Sequence, residues 1–235
     1  MTTQDILSEL AALGNETTKK IWLKHGVREP YYGVKFEDLK KIQKRIKKSY
    51  ALSMELYATG NSDAMYLAGL IADPTQMTHA DLQTWADGAY WYMLSEYTVA
   101  GAAAANQHGL GLALNWIESP DELMANTGWA TLAAIAATKP DDQLDLDLFE
   151  ELLHRAAANA TTAPNRVRYT MNGFIIAVGT YLQSLSDKAY TLAQQLGKVK
   201  VDMGGTACKV PIAAEYIAKV RDMGKVGNKR KNWGC

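Results

Sequence analysis

Two overlapping pairs near the middle of the chain carry the residue types from which a site could be built. Trp91 and Ser95 lie four residues apart, and so do Tyr92 and Glu96. At helical period each pair sets an aromatic plane beside a polar group, a hydroxyl in one case and a carboxylate in the other. The two pairs occupy neighbouring faces of the same turn. From Ala100 to Ala105 the side chains are small, so another helix or a ligand backbone can come close there. The competing reading is a buried helix whose Trp and Tyr fill the core. A second group of candidates is cationic: Lys40, Lys41, Lys44 and Arg45 early in the chain, Arg166 and Arg168 late, and Lys229, Arg230 and Lys231 near its end. These side chains suit contact with phosphates. They are equally the residues of a solvated helix face or of a disordered, solubilising end.

The elements that must position these groups are helices. Periodicity near 3.6 recurs almost without interruption, and no convincing run of alternating β-branched residues interrupts it, so the fold class is all-α. The spacing predicts helices over 3–13 and 16–25, then an irregular stretch from Arg28 to Val34, where Pro30 biases Glu29 away from helix and Gly33 breaks the next turn. Further helices are expected over 36–48, 51–59, 64–72, 79–88, 91–106, 109–118 and 121–137. A polar linker from Pro140 to Leu146 precedes helices over 148–160, 165–182, 187–196 and 212–221. Helix pairs recurring roughly every 35–40 residues without a fixed sequence repeat suggest a HEAT-like α-solenoid, whose concave side is the usual binding surface. Residues 1–223 are expected to form one such domain, with 224–235 as a basic C-terminal tail.

Composition excludes several classes. Apolar runs fall short of the roughly 20 residues a membrane span needs, and the polar start MTTQDILSEL lacks a secretory pattern, so a cytoplasmic location is expected. Cys208 and Cys235 are the only cysteines, and His25, His79, His108 and His154 are scattered singly, so no metal site is expected. Gly204-Gly205-Thr206 lacks the Lys-Ser/Thr ending and the preceding strand of a phosphate-binding loop. The net charge of +0 conceals segregation: residues 1–50 hold 11 Lys/Arg against 6 Asp/Glu, residues 51–162 hold 2 against 15, and residues 163–235 hold 12 against 4. Basic ends either reach an anionic partner or fold back onto the acidic middle.

The segment Glu29-Pro-Tyr-Tyr-Gly-Val-Lys-Phe-Glu-Asp-Leu-Lys-Lys41 resembles the N-terminal signature of the DNA alkylation repair family, typified by the AlkD-like alkylpurine DNA glycosylases. As a pattern of helices the similarity extends over most of the chain, although its sharp motifs are short. The resemblance implies a HEAT-like solenoid holding duplex DNA, alkylated duplex included, and hydrolytic excision of 3- and 7-alkylpurines without metal or cofactor. In that family a Trp is followed four positions later by a catalytic Asp. One register places Trp91 and Ser95 there, which loses the carboxylate; the next places Tyr92 and Glu96, which keeps an aromatic and a carboxylate. A further family Trp with a nearby phosphate-gripping Arg resembles Trp129 here, without the Arg. A late Gly-Trp pair resembles Gly173-Phe174. The resemblance thus implies Glu96 or Ser95 at the catalytic position. Trp91, Tyr92, Trp129 and Phe174 become the stacking surface, and the Lys and Arg residues named above the phosphate contacts. Two alternatives stand beside a glycosylase: a DNA-binding paralogue without that activity, and a protein–protein scaffold.

Overall fold

Helix α9, Glu122–Thr138, marks the centre of the molecule, because every residue from Ala125 to Ala137 is buried. Its sequence, ANTGWATLAAIAA, is apolar or small all round, as a helix enclosed on every side must be. The computed structural model describes residues 1–233. Among the described residues there are thirteen α-helices and no strand. Ahead of α9 come α1 Thr3–Ala12, α2 Glu16–Lys24, α3 Phe36–Ile46, α4 Tyr50–Ala58, α5 Ser62–Ile71, α6 His79–Gly88, α7 Ala100–Ala104 and α8 Gly109–Trp116. After it come α10 Leu146–Asn159, α11 Asn165–Tyr181, α12 Ser186–Leu196 and α13 Ala213–Asp222. Packing follows chain order. Helix α5 contacts the turn before α7, that turn contacts α9, and α9 lies along α11, while α4, α8, α10 and α12 back this inner row. Two apolar cores result, the first around Trp22, Trp85 and Trp91, the second around Trp129, Phe149 and Phe174.

Local signals start many of these helices. Thr2 and Thr78 form capping boxes with Asp5 and Asp81, and the side chains of Asn15, Asn61, Asp121 and Asp145 each accept a backbone N–H in the first turn of their helix. Helix α3 ends differently. Lys47 adopts φ 66, a left-handed conformation costly for a residue with a side chain, and it turns the chain sharply toward α4.

The expected single helix over 91–106 is corrected by the structure. Leu94–Val99 is a π-helix, and regular α geometry begins only at Ala100. A π turn holds one more residue per hydrogen-bonded ring than an α turn, so residues spaced by four no longer lie directly above one another. The linker after α9 likewise contains a short 3-10 turn, Asp141–Gln143, and α10 begins at Leu146.

The end of the described chain runs back over this framework. The N–H of Gly227 donates to the carbonyl of Thr180 at 2.9 Å, and that of Arg230 to Ala137 at 2.8 Å. The ammonium of Lys229 donates to the carbonyl of Ala136 at 2.9 Å, a cation placed at the C-terminal end of α9 where unpaired carbonyls collect. Gly234 and Cys235, the last residues of the expected tail, lie outside the described residues. Among the described residues no helix is long and apolar enough to cross a membrane, and no group of three His, Cys, Asp or Glu side chains lies close enough to hold a metal.

Candidate nucleic-acid interface

The N-terminal loop is fixed first, by a residue that spacing did not single out. Asp63, buried in the first turn of α5, accepts the backbone N–H groups of Tyr32 at 2.6 Å, Gly33 at 3.2 Å and Val34 at 2.7 Å. Burial pushes its carboxyl up, and the three amides oppose that shift. The irregular stretch before α3 is thereby held rigid, and with it the start of the basic helix.

The two candidate pairs separate in three dimensions. Trp91 turns into the first core, 5.3 Å between ring centroids from Trp22, and its indole donates to the carbonyl of His25 at 2.8 Å. Ser95 is buried and accepts a hydrogen bond from the Asn126 amide at 2.9 Å. Tyr92 and Glu96 meet through a third residue, Arg166 of α11. The Arg166 guanidinium lies 4.2 Å from the Tyr92 ring centroid and 4.3 Å from that of Tyr169. Its Nε donates to Glu96 Oε1 at 2.9 Å, and its Nη2 reaches the same oxygen. Glu96 is 4 % exposed. Burial pushes the Glu96 carboxyl up, while the Arg166 charge and hydrogen bonds pull it down. The Tyr92 hydroxyl lies 2.6 Å from His25 Nδ1, and burial, then the Arg166 charge, holds that imidazole below its ordinary range. Glu96 is thus one half of a buried ion pair. Finding its partner from sequence required pairing residues seventy apart in the chain, for which no local signal exists.

The remaining aromatic candidates are core residues. Trp129 and Phe174 are each 0 % exposed and lie edge to face at 5.4 Å, so neither offers a free ring surface. Their apolar surroundings on α9 and α11 explain the placement, which removes them from the expected stacking surface.

Cationic candidates divide into engaged and groove-lining groups. Arg45 pairs with Glu9 of α1, and Lys41 with Asp38 at 2.7 Å, which holds the Lys41 ammonium above its ordinary value. Lys40 stands exposed on the same helix. Arg168 donates to Asn165 at 3.2 Å, Lys229 pairs with Asp141 at 2.7 Å, and the Arg230 guanidinium lies 5.4 Å from the Trp233 ring centroid. The basic ends therefore do fold back in part onto the acidic middle. Lys44 and Lys231 are placed otherwise. They line a groove of about 700 Å³, together with Lys47, Lys48 and Lys139. Small residues, Gly69, Gly101, Ala102, Ala104 and Ala105, also line it, as do Tyr97 and Trp233. Lys48 also approaches Asp73 at 3.6 Å. Lysines from the end of α3, from the end of α9 and from the chain terminus thus meet around one concavity. Lys47 and Lys48 belong to the basic run seen in the sequence, whereas Lys139, a solitary cation in an acidic segment, carries no signal there. The Ala100–Ala105 run does admit a close neighbour, because Trp233 lies over Gly101 and its indole donates to the carbonyl of Glu96 at 2.8 Å.

Comparison with known proteins places these features among relatives. The family model for DNA alkylation repair enzymes matches residues 6–191. An uncharacterized protein of Listeria monocytogenes serovar 1/2a is 38% identical over 224 residues, covering 93% of this chain and 96% of that one. Another from Listeria innocua serovar 6a is 38% identical over 221 residues, 92% of this chain and 95% of that one. A solved structure superposes with a TM-score of 0.91 and 37% identity over 100% of both chains. It represents a new family of proteins related to the HEAT-like repeat DNA glycosylases, with affinity for branched DNA structures.

Proposed function

The chain belongs to the DNA alkylation repair family and shares a HEAT-like architecture, and from that premise we propose that it binds branched duplex DNA in the lysine-lined groove and does not excise bases. One observation carries the reading: Lys44, Lys47, Lys48, Lys139 and Lys231, from distant parts of the chain, converge around a single groove that small side chains also line. Cations brought together from separate parts of the chain suit a polyanion, and each phosphate neutralised releases counterions. The affinity of the structural neighbour for branched DNA supports the choice of substrate.

The absence of excision rests on Glu96. A carboxylate stabilises a developing oxocarbenium charge only if it faces the sugar. Glu96 borders a small cavity, but its carboxylate is only 5% exposed and is committed to Arg166, and Ser95, the alternative at that position, is buried against Asn126 and carries no charge. The test has two arms. Fluorescence anisotropy with a labelled four-way junction and a linear duplex of equal length should give tighter junction binding, with both weakening steeply as salt rises. Alkylated duplex incubated with the protein should release no more 7-methylguanine than a no-protein control. Binding that ignores salt, or no binding at low salt, overturns the groove assignment. Base release in wild type that Glu96→Gln abolishes overturns the non-excising assignment.

A further inference from the structure

Residues 224–233 lie beyond the stretch that the family model matches, which ends at residue 191, yet three of them line the lysine groove: Lys231, Asn232 and Trp233. The segment is tied down along its length, by Gly227 to the carbonyl of Thr180 near the end of α11 and by Lys229 and Arg230 to those of Ala136 and Ala137 near the end of α9. Its last tie is Trp233. The indole donates to the carbonyl of Glu96 at 2.8 Å, and the ring lies over Gly101, where a Cβ would meet Trp233 Cδ1 at 3.7 Å. Alanine would fit beneath the ring, and a longer side chain would crowd it.

The carbonyl chosen is a particular one. A π turn bonds each N–H five residues back and an α-helix four, so where one gives way to the other a carbonyl is passed over. The N–H of Ala100 still bonds to Ser95, five residues back, and regular α geometry begins at Ala100. Glu96 follows Ser95 at that handover, and the indole gives its carbonyl a donor from outside the helix. Lys231 therefore sits between two fixed points, the backbone N–H of Arg230 and the ring of Trp233. A cation on a chain end held in place loses less freedom on meeting a phosphate than one on a loose end.

Resting on the DNA-binding reading above, we infer that Trp233 is a positioning residue for the groove: docked on the π turn, it fixes the chain end so that Lys231 stands beside Lys44 and Lys139 as a phosphate contact. Trp233 acts through Lys231 and needs no contact with DNA of its own.

The test is a double-mutant cycle on the full chain, with wild type, Lys231→Gln, Trp233→Ala and the double variant titrated against a labelled four-way junction by anisotropy at several salt concentrations. In the wild-type background Lys231→Gln should lower the slope of log affinity against log salt by about 0.9, the loss of one phosphate contact. With Trp233→Ala in place the same substitution should lower it by less than about half as much, and the two losses of affinity should not multiply. A tail that only adds stability would leave the Lys231 slope difference unchanged. Trp233→Phe keeps a ring over Gly101 and loses the donated hydrogen bond, so it should fall between, and it carries the cycle if circular dichroism shows that Trp233→Ala folds poorly. Equal effects of Lys231→Gln in both backgrounds, or none in wild type, overturn the positioning role and leave the rest of the groove standing. Tighter junction binding by Trp233→Ala also overturns it, because the docked tail would then cover the groove instead of completing it. Failure of wild type to bind the junction at low salt overturns groove and positioning role together.

Discussion

Removing the Arg166 guanidinium leaves Glu96 as a buried carboxylate without a counter-charge. In the folded protein the two side chains are 14% and 5% exposed, so water offers the orphaned group little solvation. Breaking a buried pair from one side costs about 3–5 kcal/mol, well above the roughly 0–1 kcal/mol of a surface pair. For a chain of this size each kcal/mol moves the midpoint by about 2–4 °C, so Arg166→Ala should melt roughly 6–20 °C below wild type at neutral pH. The sign of the pH dependence comes from linkage. Burial already pushes the Glu96 carboxyl up, and without Arg166 nothing comparable pulls it back. The folded variant then holds its proton to higher pH than the unfolded chain, so its stability is greatest at low pH and falls as pH rises from the ordinary carboxylate value, about 4.3, toward the raised one. Melting traced by circular dichroism from about pH 5 to about pH 8 should therefore show a gap to wild type that widens with pH. Adding Glu96→Gln to an Arg166→Met variant should recover most of the loss, since no charge remains buried. A gap below about 1 kcal/mol, or one that stays constant across that pH range, would refute the buried-pair reasoning.

Three further expectations concern other parts of the molecule. Replacing Lys47 and Lys231 with Gln should weaken duplex binding and lower the slope of log affinity against log salt by about 0.9 for each phosphate no longer neutralised, read from titrations at several salt concentrations. Gly128→Ala should destabilise by about 1–3 kcal/mol because its Cβ would lie 2.7–2.9 Å from atoms of Ile117 and Ala113, while Gly173→Ala should be neutral or gain about 0.5–1 kcal/mol. Denaturant titration of both variants checks the pair, and equal losses would contradict the difference in packing between the two glycines. Asp63→Asn exchanges a carboxylate that accepts three N–H bonds for an amide with one oxygen; unfolding should become easier by about 1–3 kcal/mol, measurable by the same titration.

Much of the architecture is legible in the chain. Gly26, Gly60, Pro74 and Pro120 punctuate periodic segments, and expected helix ends agree with the observed ones to within a residue or two for most elements, because caps and breakers act locally. The stretch from Trp91 to Asn106 departs from its expected form for a physical reason. A π turn has the composition of an α-helix and is stabilised by contacts from outside the segment, here Arg166 on the Glu96 side chain and Trp233 on its carbonyl. Side-chain roles are less legible still. Whether an aromatic or an acid on a helix faces a groove or the interior depends on which helix lies against it.

The sequence by itself determined that the chain is helical throughout, where most helices begin and end, and that its cations cluster at the two ends, since each of these depends on neighbours a few residues apart. Tertiary structure decided the rest: that Trp129 and Phe174 fill a core, that Glu96 is neutralised by a residue seventy positions away, and that Lys44, Lys139 and Lys231 surround one groove. Those outcomes depend on burial and on charges brought together by packing, and both are properties of distance in space that spacing along the chain does not encode.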